Sequence, residues 1–272
     1  MLIIAASIVG GHRSMASSDD AVEKARLEKM LADGDTGMIV QVFRRHSGRT
    51  LPFIDSYLEG GLAMLEQGKD QAEALASFRT GIRFATLADE AFSGTTFSDY
   101  ANSFASWSPA EQKSFREGQR EYKAGVKEPD AQKSLEHLRK SLSLATPLGD
   151  AWGMAMAQQA MAEKFLAAGQ AHEAAGAAAT AAEINGKLKL HGDAAESLMF
   201  AARAWLEIGQ QRGQVSYLSQ AWTLVQQDHS IDASLREKVL DAYLGALEAA
   251  GKKDQAEQVR REAAGQAPAP PS

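Results

Sequence analysis

Apolar residues return every three or four positions along this chain, in stretches of helical length separated by short polar breaks. No sustained alternation of Val, Ile and Thr with polar residues interrupts them, so the pattern predicts helices and no strands. Ser18 or Asp19 caps a first helix that runs to about Asp33. Gly34-Asp35-Thr36-Gly37 reads as a turn, a second short helix runs to about His46, and Ser47-Gly48-Arg49-Thr50-Leu51-Pro52 breaks it. Beyond that point five glycines punctuate the pattern: Gly68, Gly125, Gly169, Gly209 and Gly251. Each follows an apolar helical segment and precedes an alanine-rich one. Their separations are 57, 44, 40 and 42 residues, a recurrence that points to stacked helix–turn–helix units.

Aligning the chain on these glycines makes the repeat explicit. Around Gly169 stand Ala162, Phe165, Ala174, Ala178 and Ala181. The same offsets around Gly209 give Ala202, Trp205, Gln214, Leu218 and Ala221, and around Gly251 they give Leu244, Leu247, Ala256, Arg260 and Ala263. Small residues at the first and later positions let the two helices of a unit approach, and a bulky one fills the space between units. Gly118 with Gly125, and Gly61 with Met64 and Gly68, sit at matching separations in two less regular units.

This order of small, bulky, glycine and alanine positions resembles the tetratricopeptide repeat (TPR) family, over roughly residues 52 to 264. The period exceeds the family's usual length of about 34 residues, as in long-period bacterial-type arrays. The resemblance implies an all-α, TPR-like right-handed α-solenoid with an N-terminal helical extension. It also implies a concave groove lined by fixed positions of each unit's first helix. Those positions are Phe115, Gln119 and Tyr122 in one unit, Met156, Gln159 and Glu163 in the next, then Glu196, Met199 and Arg203, and last Lys238 and Asp241. The implied function is a non-enzymatic scaffold or adaptor that holds a protein partner, as an extended peptide or a helix; the alternatives are a self-associating structural or assembly protein, or a regulatory sensor domain of a larger bacterial system. No Lys/Asn clamp for a C-terminal carboxylate is evident among these positions.

Local signals support the register. Ser108-Pro109-Ala110-Glu111 is a capping box with proline at the first helical position. Asp193 with Glu196 repeats that logic, and Asp150 and Asp232 are set to cap the helices that follow them. An insertion over residues 91–108 accounts for the longest separation. In it Phe97, Tyr100, Phe104 and Trp107 follow 3, 4, 3 spacing and share one helical face. That stripe either packs inside the protein or forms a second interface for a partner or for self-association. Residues 17–50 form the N-terminal extension, residues 51–265 the repeat array, and residues 266–272 a disordered tail.

Composition narrows the functional classes. Of 272 residues, 44% are hydrophobic, which suffices for a core, and only 7% are aromatic. The net charge of −6 argues against nucleic acid held by a global basic field. There are no cysteines, hence no disulfides, thiolate zinc sites or cysteine nucleophiles. No phosphate loop, dinucleotide fingerprint, nucleophile elbow or His-Glu-x-x-His occurs, and the six histidines are scattered, so neither a catalytic residue, a metal nor a cofactor is expected. Arg44, Arg45, His46 and Arg49 form the densest basic cluster, a solvated turn or a dock for an acidic partner. The apolar run from Leu2 to Val9 reads as a short secretory leader, or else Met15 is the start of the chain. A cytoplasmic or a periplasmic location follows accordingly. The run is too short to span a bilayer.

Overall fold

A computed structural model describes residues 18–265. The expectations for the leader or start at residues 1–16 and for the tail at residues 266–272 lie outside the described residues. The protein is all-α, and its helices pack in chain order. Among the described residues there are thirteen: α1 (Ser18–Asp33), α2 (Thr36–Arg45), α3 (Ser47–Glu66), α4 (Gln71–Phe92), α5 (Thr96–Ser106), α6 (Pro109–Lys127), α7 (Ala131–Leu148), α8 (Ala151–Ala167), α9 (Ala171–Lys187), α10 (His191–Glu207), α11 (Gln211–Gln227), α12 (Ala233–Ala249) and α13 (Lys253–Ala263). No described helix is long and apolar enough to cross a membrane.

The middle of the array has a period finer than the glycine spacing suggests. Helices α8 to α11 are each 17 residues long and begin at residues 151, 171, 191 and 211. The turns before α8, α9, α10 and α11 are built alike. Gly149, Gly169, Lys189 and Gly209 sit at positive φ, and the next N–H donates to the carbonyl five residues back, as Gln170 does to Phe165 at 2.9 Å and Leu190 to Asn185 at 2.9 Å. This is the left-handed helix stop, which a residue without Cβ adopts most cheaply. Lys189, at φ 59°, makes the same turn with a side chain present.

Gly68, Gly209 and Gly251 follow their helices at positive φ, as the spacing predicts, and so does Gly169. Gly125 does not. It lies buried inside α6, and the break falls at Glu128–Asp130. A Cβ there would stand 2.7 Å from Leu138 Cγ and 3.1 Å from the Ser134 carbonyl oxygen. Its role is close approach: Ser134 Oγ donates to the Gly125 carbonyl at 2.6 Å, and one heptad back Ser141 Oγ donates to that of Gly118 at 3.0 Å. Glycines on α6 thus face serines on α7, which runs antiparallel to it.

Two further expectations are corrected. Ser47–Pro52 is not a break, because α3 starts at Ser47 and runs through Pro52. Proline is tolerated so near the start because only the Gly48 carbonyl loses a helical donor, and Gly48 is exposed. Asp193 is inside α10 rather than at its cap, since the left-handed turn at Lys189 starts that helix two residues earlier. The caps at Ser108, Asp150 and Asp232 are made. Ser108 completes the capping box with Glu111, and Asp150 and Asp232 accept from the N–H groups of Gly153 and Ser234.

The core is layered along the chain. A bulky aromatic and leucine cluster holds α1 to α6, an alanine-rich one holds the middle helices, and a third closes α10 to α13. Leu188 and Leu190 belong to the first cluster despite their distance in sequence. Helix α3 reaches the same region. Ser47 Oγ donates to Asp228 Oδ2, His191 Nδ1 lies 2.9 Å from that oxygen, and Ser230 donates to Oδ1 from its N–H and its hydroxyl. Farther along α3, Asp55 meets Tyr100 of α5, and Glu59 and Glu66 meet Arg116 of α6.

Candidate functional site

Helix α3 carries two carboxylates, Asp55 and Glu59, one turn apart. Its opposite side, with Phe53, Tyr57 and Gly61, packs on α4. The acidic stripe therefore faces away from the α3–α4 contact, toward α5, α6 and α8. Helix α5 supplies Tyr100. Its N-terminus is held by Asp89 of α4, whose carboxylate accepts from the N–H groups of Phe97 and Ser98 at 3.0 and 2.9 Å. Its other end is held to α7, where Ser103 Oγ and Trp107 Nε1 both donate to the Leu148 carbonyl. Phe97, Tyr100, Phe104 and Trp107 are all buried, at 7% exposure or less, so the stripe packs inside the protein and presents no surface. Within it, the Tyr100 hydroxyl donates to Asp55 Oδ1 at 2.6 Å.

Helix α6 brings Phe115, Gly118, Gln119, Tyr122 and Lys123, which share one face at 3, 1, 3, 1 spacing. Helix α8 brings Asp150, Trp152, Gly153 and Met156. With Ser141 and Ala145 of α7, these residues enclose a cavity of about 360 Å³. Asp150 is 7% exposed, and as the cap of α8 it accepts from the Gly153 N–H at 2.9 Å through Oδ1. Glycine at 153 leaves room for this carboxylate, because a Cβ would sit 2.1 Å from Oδ2.

The charges are unevenly satisfied. Arg116 is fully engaged: it donates to Glu59 at 2.6 Å, to both oxygens of Glu66 at 2.8 and 3.1 Å, and to Gln119 at 2.9 Å. Gln119 Nε2 donates to Glu59 at 2.7 Å. Asp55 and Asp150 lack such a cation. Burial pushes the Asp55 carboxyl up to about 7; the Tyr100 bond opposes this, Glu59 and Asp150 add to it, and the Arg116 charge offsets a smaller part. Burial likewise raises Asp150 to about 6, against the Gly153 bond and with a contribution from Glu59. Burial and the adjacent Asp55 hold the Tyr100 phenol well above its ordinary value. Two acids, Asp150 buried and Asp55 half-buried, whose proton affinity is raised in one cavity are a common mark of functional sites.

Four of the groove positions expected from the sequence, Phe115, Gln119, Tyr122 and Met156, line this cavity. The others continue away from it. Gln159 is one turn beyond Met156, and its Oε1 is buried without a hydrogen-bond donor. Glu163 follows, exposed on the same helix. On α10, Glu196 and Arg203 are exposed and Met199 is half-buried against the third core cluster; on α12, Asp241 is exposed. Electrostatic coupling runs from helix to helix along this row. Partial desolvation raises Tyr122, Glu163 and Glu196, and each is influenced by the next: Tyr122 by Glu163, Glu163 by Glu196, and Glu196 by Lys238. Helices α6 and α8, α8 and α10, and α10 and α12 are in contact, so the expected positions continue from one alternate helix to the next.

Asp55, Glu59, Asp150 and Trp152 were not singled out as site residues by the sequence. Asp150 is legible there only as a cap and Tyr100 only as part of an aromatic stripe. A weak signal existed at Asp55 and Glu59, two carboxylates at i and i+4 in an otherwise strongly apolar stretch from Leu51 to Leu65. No protein-family model and no curated protein matches this chain.

Proposed function

We propose that this protein is a TPR-like right-handed α-solenoid that acts as a non-enzymatic scaffold, holding a peptide or partner helix along the inner face of α6, α8, α10 and α12. The observation that carries this reading is the adjacency of the expected positions. Phe115, Gln119 and Tyr122 wall one cavity, and Tyr122, Glu163, Glu196 and Lys238 form a coupled row across four alternate helices. The regular 20-residue spacing of α8 to α11 supports the repeat architecture. Such a face offers aromatic and methionine contacts beside mixed charge, which suits an extended chain more than a flat partner surface.

The test is binding of the full chain to a displayed peptide library, followed by affinity measurement on the selected sequences. The paired substitution Arg203→Glu with Met199→Ala removes a charge and an apolar anchor from the middle of the face. Selected peptides are expected to bind it at least about tenfold more weakly. A library that yields no saturable binder, or binders indifferent to the double substitution, would refute the reading.

A further inference from the structure

The cavity has one chemical requirement that its own residues leave unmet. Among the described residues, Asp55 receives one hydrogen bond, from Tyr100, and the Asp150 side chain receives one, from the Gly153 N–H. One oxygen of each therefore has no donor, although Asp150 is nine-tenths buried and both residues border the cavity. The nearby cation, Arg116, is taken up by Glu59, Glu66 and Gln119. The remaining basic group at the cavity, Lys123, is exposed. Two neighbouring carboxylates that face one partly desolvated cavity, each with a single donor and no cation of its own, favour a positively charged occupant.

The walls define that occupant further. Phe115, Tyr122 and Trp152 present ring surface, which attracts an organic cation and packs an apolar stem. The volume of about 360 Å³ is near the lower end for small-ligand pockets, enough for one long side chain. Among the described residues no three acidic or histidine side chains converge as metal ligands do, which favours a larger, hydrogen-bonding cation over a bare ion. We propose that this cavity binds a single organic cation on a short apolar stem, an ammonium or guanidinium group that bonds the free oxygens of Asp55 and Asp150. The proposal rests on the scaffold reading only for the source of that group, a Lys or Arg side chain of the bound peptide.

The experiment titrates the full chain with n-butylguanidinium, n-butylammonium and the neutral isostere n-butylurea. Heat and tryptophan fluorescence report binding, with Trp152→Phe assigning the optical signal. Both cations are expected to saturate one site, and butylurea is expected not to bind. Asp55→Asn and Asp150→Asn should each weaken the cations at least about tenfold, and asparagine keeps the α8 cap, so the fold survives. Glu257→Gln, a distant exposed control, should change nothing. Cation affinity should also rise between about pH 5 and about pH 8 as the two acids ionise; the other titratable groups facing them are Glu59, Tyr100, Arg116, Tyr122 and Lys123. Equal binding of butylurea, indifference to both Asn substitutions, or no saturable cation binding would overturn the proposal.

A second arm separates the two readings. Library-selected peptides are compared with versions carrying citrulline for arginine and norleucine for lysine. Selective loss with the neutral residues supports the cavity as the side-chain site. Peptides that bind equally well when neutralised overturn a peptide side chain as the source of the cation and leave the scaffold standing. Free cations that bind while no peptide does support the cavity and refute the scaffold.

Discussion

At the scale of single residues, the buried acids set a direction for pH dependence. Asp55 has an ordinary value of 3.8 and one of about 7 in the folded protein, so the folded chain holds this proton where the unfolded chain has released it. Its contribution to stability is complete below the ordinary value and is lost as pH rises toward 7. Asp150 acts in the same sense up to about 6. The Asp55→Asn variant cannot ionise there. Its melting temperature should therefore fall less than that of the wild type between about pH 4 and about pH 7 in a thermal unfolding series. A decline parallel to the wild type would show that burial does not hold the proton. Asp228 runs the other way. Burial pushes it up, but the bonds from His191, Ser230 and Ser47 outweigh that and hold it well below its ordinary value. Its contribution is present above pH 3.8 and disappears only in strong acid.

At the scale of elements, glycine serves two purposes that look identical in a sequence. At Gly169, Gly209 and Gly251 it permits positive φ; at Gly125 it permits α6 to touch α7. Gly125→Ala should cost about 1–3 kcal/mol in urea unfolding, because Leu138 must move. Gly176→Ala, on α9 with open space around it, should instead gain up to about 1 kcal/mol from helix propensity. Equal effects at the two sites would remove the close-approach argument. Lys189 is the converse case, a left-handed stop without glycine. Lys189→Gly should raise stability by about 1 kcal/mol by relieving the Cβ strain, less the entropy added to the unfolded chain. An unchanged or lower melting temperature would count against it.

These elements also show how legible the fold was. Helix limits, turns and caps at Ser108, Asp150 and Asp232 follow from neighbours in sequence, so the pattern predicts them. The 20-residue rhythm was half hidden because one of its stops is a lysine. The choice of Gly125 as a turn failed because spacing alone does not distinguish a turn from a contact. The groove positions Phe115, Gln119 and Tyr122 are what the resemblance to the repeat family implies, and helical periodicity puts them on one face. That periodicity says nothing of what lies opposite, and the opposing wall comes from α3.

At the scale of the whole molecule, the placement of α3 depends on the tie around Asp228, which joins Ser47 to His191 across much of the chain. Asp228→Ala removes a buried acceptor and strands its donors, at a cost of about 1–3 kcal/mol. Hydrogen exchange should show amides of α3 and of the start of α10 losing protection together, while α8 and α9 keep theirs. Protection of α3 that is unaffected would mean that the leucine cluster alone holds it.

The sequence by itself determined the all-helical class, most helix limits, the repeated turns and one face of α6, because backbone hydrogen bonding and amphipathic periodicity act over a few residues. Only the tertiary structure decided that Asp55, Tyr100 and Asp150 meet beside Phe115 and Tyr122. Those residues come from four helices spread over about a hundred positions, and no local rule links them. Their meeting depends on where α3 is placed, an outcome of packing long-range apolar surface and of the bonds to Asp228.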